Sequence, residues 1–161
     1  MTSKVSLATR LARLDDAALE VAEEHAGALA HDVGKYAVRV ARNVLAGDPV
    51  PIALAPMLVK DLFETHRGQR ASRRFADLAR GLPEGLREAD EIVESRALLA
   101  EIDGLEGSVR AADPAALCRA VAAALALESA LSRLAHAVRT ELAERRAAGP
   151  SCLPRRSRQG G

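Results

Sequence analysis

A histidine, an aspartate and a lysine lie within five residues of one another in the segment His31-Asp32-Val33-Gly34-Lys35. A neutral imidazole is a nucleophile, a neighbouring carboxylate can orient it or help to deprotonate it, and an ammonium group can neutralise phosphoryl oxygens. Lys35 lies four residues after His31, so a helix places both side chains on one face. The segment therefore predicts a phosphoryl-accepting site with His31 as nucleophile and Asp32 and Lys35 as assisting residues.

Two glycines flank this histidine inside a segment that otherwise favours helix. Gly27 precedes His31 by four residues and Gly34 follows it by three, although each glycine destabilises a helix by up to about 1 kcal/mol. We interpret them as clearance for a binding partner, with Arg39 and Arg42 further along the same flank as additional contacts. The alternative is that the two glycines, two helical turns apart, let a neighbouring helix pack closely.

The apolar pattern around the histidine predicts its orientation. Residues spaced by three and four form a stripe typical of an amphipathic bundle helix: Ala18, Val21, His25, Leu29, Val33, Tyr36, Val40 and Val44. His31 lies about 200° around the helix from both Leu29 and Val33, so its side chain is expected to face solvent. His25 falls on the stripe and is interpreted as a buried histidine with one hydrogen bond.

The elements that position these residues are helices. Ala, Leu, Arg and Glu dominate the chain, and the alternating β-branched runs typical of strands are missing. We predict long helices over 15–45, 51–65, 86–110 and 114–146 and a short one over 71–80, with Asp15 and the pair Asp113-Pro114 as helix starts. The expected fold is all-α: an antiparallel four-helix bundle with an additional short helix, in a single domain over 1–146.

The segment 147–161 contains two prolines, three arginines and a terminal Gly-Gly pair. This composition predicts a flexible, basic and disordered C-terminal tail.

Charge and composition argue against several classes of partner. The chain has 23 Lys and Arg against 22 Asp and Glu, a formal net charge of +1, which gives no general attraction to nucleic acid or to an anionic membrane. Aromatic residues make up only 2%, so base-stacking platforms are scarce. No apolar stretch approaches the roughly 20 residues of a membrane span. We therefore expect neither a nucleic-acid nor a membrane partner.

The spacing of the cysteines and the composition of the N-terminus indicate the cellular compartment of the protein. Cys118 and Cys152 lack the spacing of a zinc site or a redox pair, and residues 1–14 have no continuous apolar core typical of a secretory signal. These features predict a cytoplasmic protein without metal or cofactor.

The stretch ALAHDVGKYA resembles the core of the HD-domain metal-dependent phosphohydrolases, whose adjacent His-Asp commonly continues as HD-x-GK. The resemblance covers about ten residues and implies that His31 and Asp32 ligate a divalent metal that activates water. That family also uses an earlier histidine, here only His25 on the same helix, and a later aspartate such as Asp61 or Asp90.

A second resemblance is to histidine phosphotransfer domains and the dimerisation helices of histidine kinases. Both place a solvent-facing histidine midway along the first long helix of a bundle; kinase helices follow it with an acidic residue, as in His31-Asp32. Phosphotransfer domains follow it with Lys and Gly, which occur here in reversed order as Gly34 and Lys35. The resemblance implies a receiver domain or another signalling protein as partner, because no nucleotide-binding half is present.

The leading hypothesis is therefore a phosphorelay bundle of two-component signalling. The alternatives are a non-catalytic interaction scaffold and, third, an HD-type phosphohydrolase or its relic. A homodimer is compatible with each of them.

Overall fold

The chain is described here by a computed structural model that covers residues 5–35, 60–65 and 67–149. These residues are mostly helical, and their β pairing is limited to an isolated bridge between Glu64 and Arg70. The all-α class is therefore confirmed. The elements are α1 (Leu7–Ala12), α2 (Asp16–Leu29), a π-helical turn (Ala30–Gly34), α3 (Ala71–Gly81), α4 (Glu84–Arg87), α5 (Asp90–Arg110) and α6 (Pro114–Ala148).

Local sequence signals place two of the helix starts. The Asp15 carboxylate accepts a 2.7 Å hydrogen bond from the backbone N–H of Ala18. The Asp113 carboxylate accepts one of 3.0 Å from Ala115, with Pro114 at the first helical position. Both predicted helix starts are confirmed, because a capping carboxylate satisfies N–H groups that have no partner within the helix.

Two boundaries differ from the predicted ones. The helix expected over 86–110 is interrupted: α4 ends at Arg87, and α5 begins at Asp90 after the extended residue Ala89. The helix expected over 51–65 lies mostly outside the described residues, and only its end at 60–63 is seen as helix. Helix α1 was not predicted.

Helices α5 and α6 form an antiparallel hairpin, and α2 runs antiparallel along α6. Ion pairs join the hairpin from Arg133 to Glu94 at 2.8 Å and from Arg119 to Glu101 at 3.7 Å. Helix α3 packs against α2 and α5. Within the described ranges, α2, α3, α5 and α6 thus surround a common core.

Helix α6 supplies the largest share of that core. Its buried side chains are small or aliphatic: Ala116, Ala120, Val121, Ala123, Ala124, Leu127, Ala130, Leu131, Leu134, Ala135, Val138 and Leu142. Contrary to the sequence analysis, α6 is long and apolar enough to span a membrane by length and composition, with a window of mean hydropathy 1.5. In this fold 44% of that window is buried inside the protein, which is also expected of a core helix.

The buried face of α2 differs from the predicted stripe. Leu19, Ala22 and Ala26 are fully buried, whereas Val21 is 44% exposed. Over the first three turns of α2, each buried residue therefore lies one position after the residue that was predicted to be buried. The reason is that alanine occurs on both faces of α2, which leaves little hydrophobic contrast to distinguish neighbouring registers.

Arg145 attaches the N-terminal helix to the end of α6. Its guanidinium donates to the carbonyl oxygens of Leu14 at 2.7 Å and Leu11 at 3.1 Å. Hydrogen bonds to Asp16 and then to Glu141 raise the pKa of Arg145. Helix α6 continues to Ala148, so the first two residues of the predicted tail are helical. Residues 150–161 lie outside the described part of the chain.

His25 packs against the last residue of α3. A Cβ added to Gly81 would overlap the imidazole ring of His25, so the ring lies against a backbone that only glycine leaves open. The ring is half-buried rather than fully buried. Its Nδ1 is buried and makes no hydrogen bond within the described residues, which corrects the expected single hydrogen bond.

The Gly81→Ala substitution is therefore expected to lower the free energy of unfolding by about 1–2 kcal/mol, because the methyl group overlaps the His25 ring. In a His25→Ala background the same substitution should instead stabilise by up to about 0.5–1 kcal/mol, since alanine is the better helix former. Urea unfolding of the four variants measures this reversal of sign. An equal effect of Gly81→Ala in both backgrounds would contradict the contact.

Candidate functional site

The segment with the candidate residues forms a π-helical turn. The turn spans Ala30–Gly34 and continues directly from α2, and the N–H of Lys35 donates to the carbonyl oxygen of Ala30, five residues earlier. The wider turn buries Asp32, Val33 and Gly34 in succession while His31 stays exposed. Single π-helical turns within α-helices occur frequently at functional sites.

His31 lies above a buried carboxylate. Its side chain is 60% exposed, whereas that of Asp32 is 11% exposed. His31 Nδ1 lies 3.2 Å from Asp32 Oδ1. Because an ionised carboxylate can only accept hydrogen bonds, a hydrogen bond across this contact requires the tautomer with the proton on Nδ1, in which Nε2 carries the free lone pair.

Arg74 of α3 holds the other oxygen of that carboxylate. Its Nη2 and Nε donate to Asp32 Oδ2 at 2.6 Å and 3.0 Å, and its side chain is 23% exposed. Charge-assisted bonds of this length are strong and fix the orientation of the carboxylate. The result is a chain of contacts from Arg74 through Asp32 to His31.

Arg74 was not predicted from the sequence, although a signal was present. Helix α3 has no acidic residue in its first turn, and its N-terminal region carries Arg70, Arg73 and Arg74. Cations are unfavourable near the positive end of a helix dipole, so arginines there indicate carboxylate partners elsewhere. Two of them have such partners: Arg74 binds Asp32, and Arg70 pairs with Glu106 of α5.

Glu106 shows the electrostatic result of this pairing. Hydrogen bonds from Arg110 and then from Arg70 lower its pKa below the usual value near 4.5, against the opposing effect of burial. The two arginines therefore keep Glu106 ionised down to lower pH. Arg70 therefore attaches the N-terminal end of α3 to α5. Helix α3 is also the helix that supplies Arg74.

The two glycines beside His31 have different surroundings. A Cβ added to Gly27 would meet nothing within 4 Å, which leaves the space that clearance for a partner requires. A Cβ added to Gly34 would lie 3.4 Å from Glu128 Cα on α6. Gly34 is therefore buried against its own chain, and its predicted role in partner binding is wrong.

The remaining predicted residues are placed as follows. Lys35 is exposed, one helical turn beyond His31. Arg39 and Arg42 lie outside the described residues. The structure thus brings Asp32 to His31, leaves Lys35 accessible on the next turn, and adds Arg74.

The HD-type alternative requires several metal ligands to converge. In the described ranges no group of three or more His, Cys, Asp or Glu side chains could hold a metal ion. In addition, the Arg74 guanidinium binds Asp32 Oδ2, and its positive charge would oppose a divalent cation ligated by the same carboxylate. The geometry around Asp32 does not fit the metal site that the HD resemblance implies.

Comparisons with protein-family models, with curated proteins and with solved structures find no match for the chain. A functional assignment therefore depends on the chemistry of His31, Asp32 and Arg74. That arrangement offers an accessible imidazole ring beside a buried carboxylate that Arg74 anchors.

Proposed function

We propose that the protein is a phosphorelay bundle in which His31 accepts a phosphoryl group from an aspartyl phosphate of a partner receiver domain. The observation that carries the proposal is the 3.2 Å contact from Nδ1 of the exposed His31 to the buried Asp32. An acceptor needs an accessible, uncharged ring nitrogen in a defined orientation. The contact with Asp32 supplies the orientation, and the exposure of the ring supplies the access.

In the proposed step, His31 Nε2 attacks the phosphorus of the aspartyl phosphate in line with the leaving oxygen. The N–P bond forms as the P–O bond breaks, and the electron pair of that bond returns to the carboxylate of the donor. The ring becomes a phosphoimidazolium that keeps its proton on Nδ1. Asp32 accepts the hydrogen bond from this proton and stabilises the positive ring, as carboxylates do for imidazolium in other nucleophilic sites.

Arg74 acts as a positioning residue in this proposal. Its two bonds to Asp32 Oδ2 hold the carboxylate in place and directed at the ring, which reduces the reorganisation needed during transfer. Lys35 provides positive charge near the arriving phosphoryl oxygens. Gly27 leaves room one turn before His31 for the surface of the donor.

The experiment is incubation of the chain with a panel of phosphorylated receiver domains from the same cell. We expect an acid-labile label on the protein, its loss in His31→Ala, and slower labelling in Lys35→Ala. His136 is the matched control, because it is a second exposed histidine, on α6, and His136→Ala should label like the wild type.

Two outcomes would refute the relay. One is a wild type that no receiver domain labels. The other is a His31→Ala variant that is labelled as well as the wild type. Alanine favours helix more than histidine does, so circular dichroism of His31→Ala should exclude unfolding as the cause of a lost label. Either refuting result would favour the non-catalytic scaffold.

A further inference from the structure

A groove between α3 and α5 lies apart from the His31 site. Its volume is about 590 Å³, and its walls combine apolar and charged side chains, among them Phe75, Ala76, Arg96, Leu99, Ala100 and Asp103. Phe75 and Leu99 are buried beneath it, whereas Ala76 and Ala100 are exposed. The groove therefore presents an accessible apolar floor with charges along its rim.

The outer face of α5 continues this floor. Val93 is 48% exposed, and Val21 is the other large apolar side chain exposed to this degree among the described residues. Ala97 and Ala100 are exposed on the same face. A Cβ added to Gly107 would meet nothing within 4 Å, so no part of the described chain covers the outer face of the helix at this position.

From the groove and its charges we propose that its occupant is a second copy of this chain. In the proposed dimer, α5 packs against α5 of the partner subunit in antiparallel orientation, with the twofold axis next to Ala100. Twofold dimers are the commonest oligomers, and their interface must be complementary to itself. Both the charges and the side-chain sizes along α5 meet this requirement.

The charges on the groove rim are complementary under this symmetry. Arg96 lies four residues before Ala100 and Asp103 three residues after it. Antiparallel packing about Ala100 therefore brings Arg96 next to Asp103 of the partner subunit, and the reverse pair forms by symmetry. An acidic partner of another kind would leave Asp103 facing a like charge, which is unfavourable.

Both groups are available for such a pair. Asp103 makes no hydrogen bond or ion pair within the described ranges. Arg96 has only long contacts, at 3.7 Å to Glu88 and 3.4 Å to the Arg87 carbonyl. Glu101, which would lie near the axis, is already paired with Arg119 of its own chain at 3.7 Å.

The same register matches side-chain sizes. Val93 lies seven residues before Ala100 and Gly107 seven residues after it. Val93, the largest apolar side chain on the outer face, would therefore lie opposite Gly107 of the partner subunit, which has no side chain, so that the two helices can approach closely.

A charge exchange tests the pairing. The mass of the wild type, measured by light scattering over a concentration series, should approach twice the 17.0 kDa of the chain. Arg96→Asp and Asp103→Arg should each weaken dimerisation by about tenfold or more, because each places like charges opposite one another. The double variant Arg96→Asp/Asp103→Arg should restore it.

A monomeric wild type would overturn the proposal, and the groove would then belong to a different partner. A double variant as weak as the single ones would overturn the assigned register. Circular dichroism of all three variants should match the wild type, since both side chains lie on the groove rim.

Disulfide trapping tests the symmetry directly. In a Cys118→Ser/Cys152→Ser background, Ala100→Cys should form an intermolecular disulfide on oxidation, because equivalent residues meet at the axis. Ala122→Cys, at an exposed position of α6, is the control and should not. A mixture of Val93→Cys and Gly107→Cys chains should cross-link to each other only in the antiparallel arrangement. Absence of the Ala100→Cys cross-link would refute the axis.

Discussion

The Gly34→Leu substitution is expected to lower the free energy of unfolding by about 3 kcal/mol, whereas Gly27→Leu should raise it by up to about 0.5–1 kcal/mol, because leucine favours helix more than glycine does. A Cβ added at position 34 would lie 3.4 Å from Glu128 Cα. This atom belongs to the backbone of α6 and cannot rotate away as the end of a side chain can. A leucine must therefore push α6 away from the π-helical turn. At position 27 the side chain meets open space.

Comparing the two variants separates the effect of packing on the free energy of unfolding from the effect of helix propensity. Both exchange glycine for the same better helix former, so the propensity gain largely cancels between them. Urea unfolding followed by far-UV circular dichroism measures both free energies. Equal stability of Gly34→Leu and Gly27→Leu would show that α6 does not cover Gly34. Gly34→Ala, whose single methyl group nearly fits, should be close to neutral.

The Arg74→Met substitution is expected to affect both stability and chemistry. It removes the cation that binds Asp32 Oδ2 and keeps most of the apolar part of the side chain. Removing one partner of a fully buried ion pair destabilises by roughly 3–5 kcal/mol. Since Arg74 is 23% exposed, we expect about 2 kcal/mol. Arg73→Met is the matched control: Arg73 is exposed, and its loss should change stability by less than about 0.5 kcal/mol.

The chemical effect of Arg74→Met appears in which ring nitrogen is labelled. With phosphoramidate as a small phosphoryl donor, wild-type His31 should be labelled at Nε2 alone, because Asp32 holds the proton on Nδ1. Once Asp32 loses its anchor in Arg74→Met, we expect label on both nitrogens, as at the exposed control His136. Nuclear magnetic resonance of the phosphohistidine distinguishes the two isomers. A product on Nε2 alone in Arg74→Met, with stability equal to that of Arg73→Met, would contradict the role of Arg74.

The caps of α2 and α6 were predictable because they depend only on adjacent residues. An aspartate that binds the N–H two or three residues later, or a proline at the first helical position, acts within one turn. The exposure of His31 was also predictable, since its angle from Leu29 and Val33 is set by the helix itself. These parts of the fold and of the candidate site require no knowledge of which helices are neighbours.

The register of α2 was not predictable in the same way. Val21 and Leu19 are both apolar, and alanines on either side fit both faces equally well. Burial of Leu19 rather than Val21 is decided by the surfaces of α3 and α6, which α2 contacts. Where hydrophobic contrast along a helix is low, the packing partners select the buried face.

By itself, the sequence determined an all-α chain, the starts of α2 and α6, and an exposed histidine followed by a carboxylate. Only the tertiary structure decided that Gly34 is covered while Gly27 is open, and that Arg74 reaches Asp32 from 42 positions along the chain. The physical reason is the distance along the chain over which each interaction acts. Capping and helical periodicity act over a few residues, whereas burial of an ion pair or a glycine depends on which distant helix packs against it.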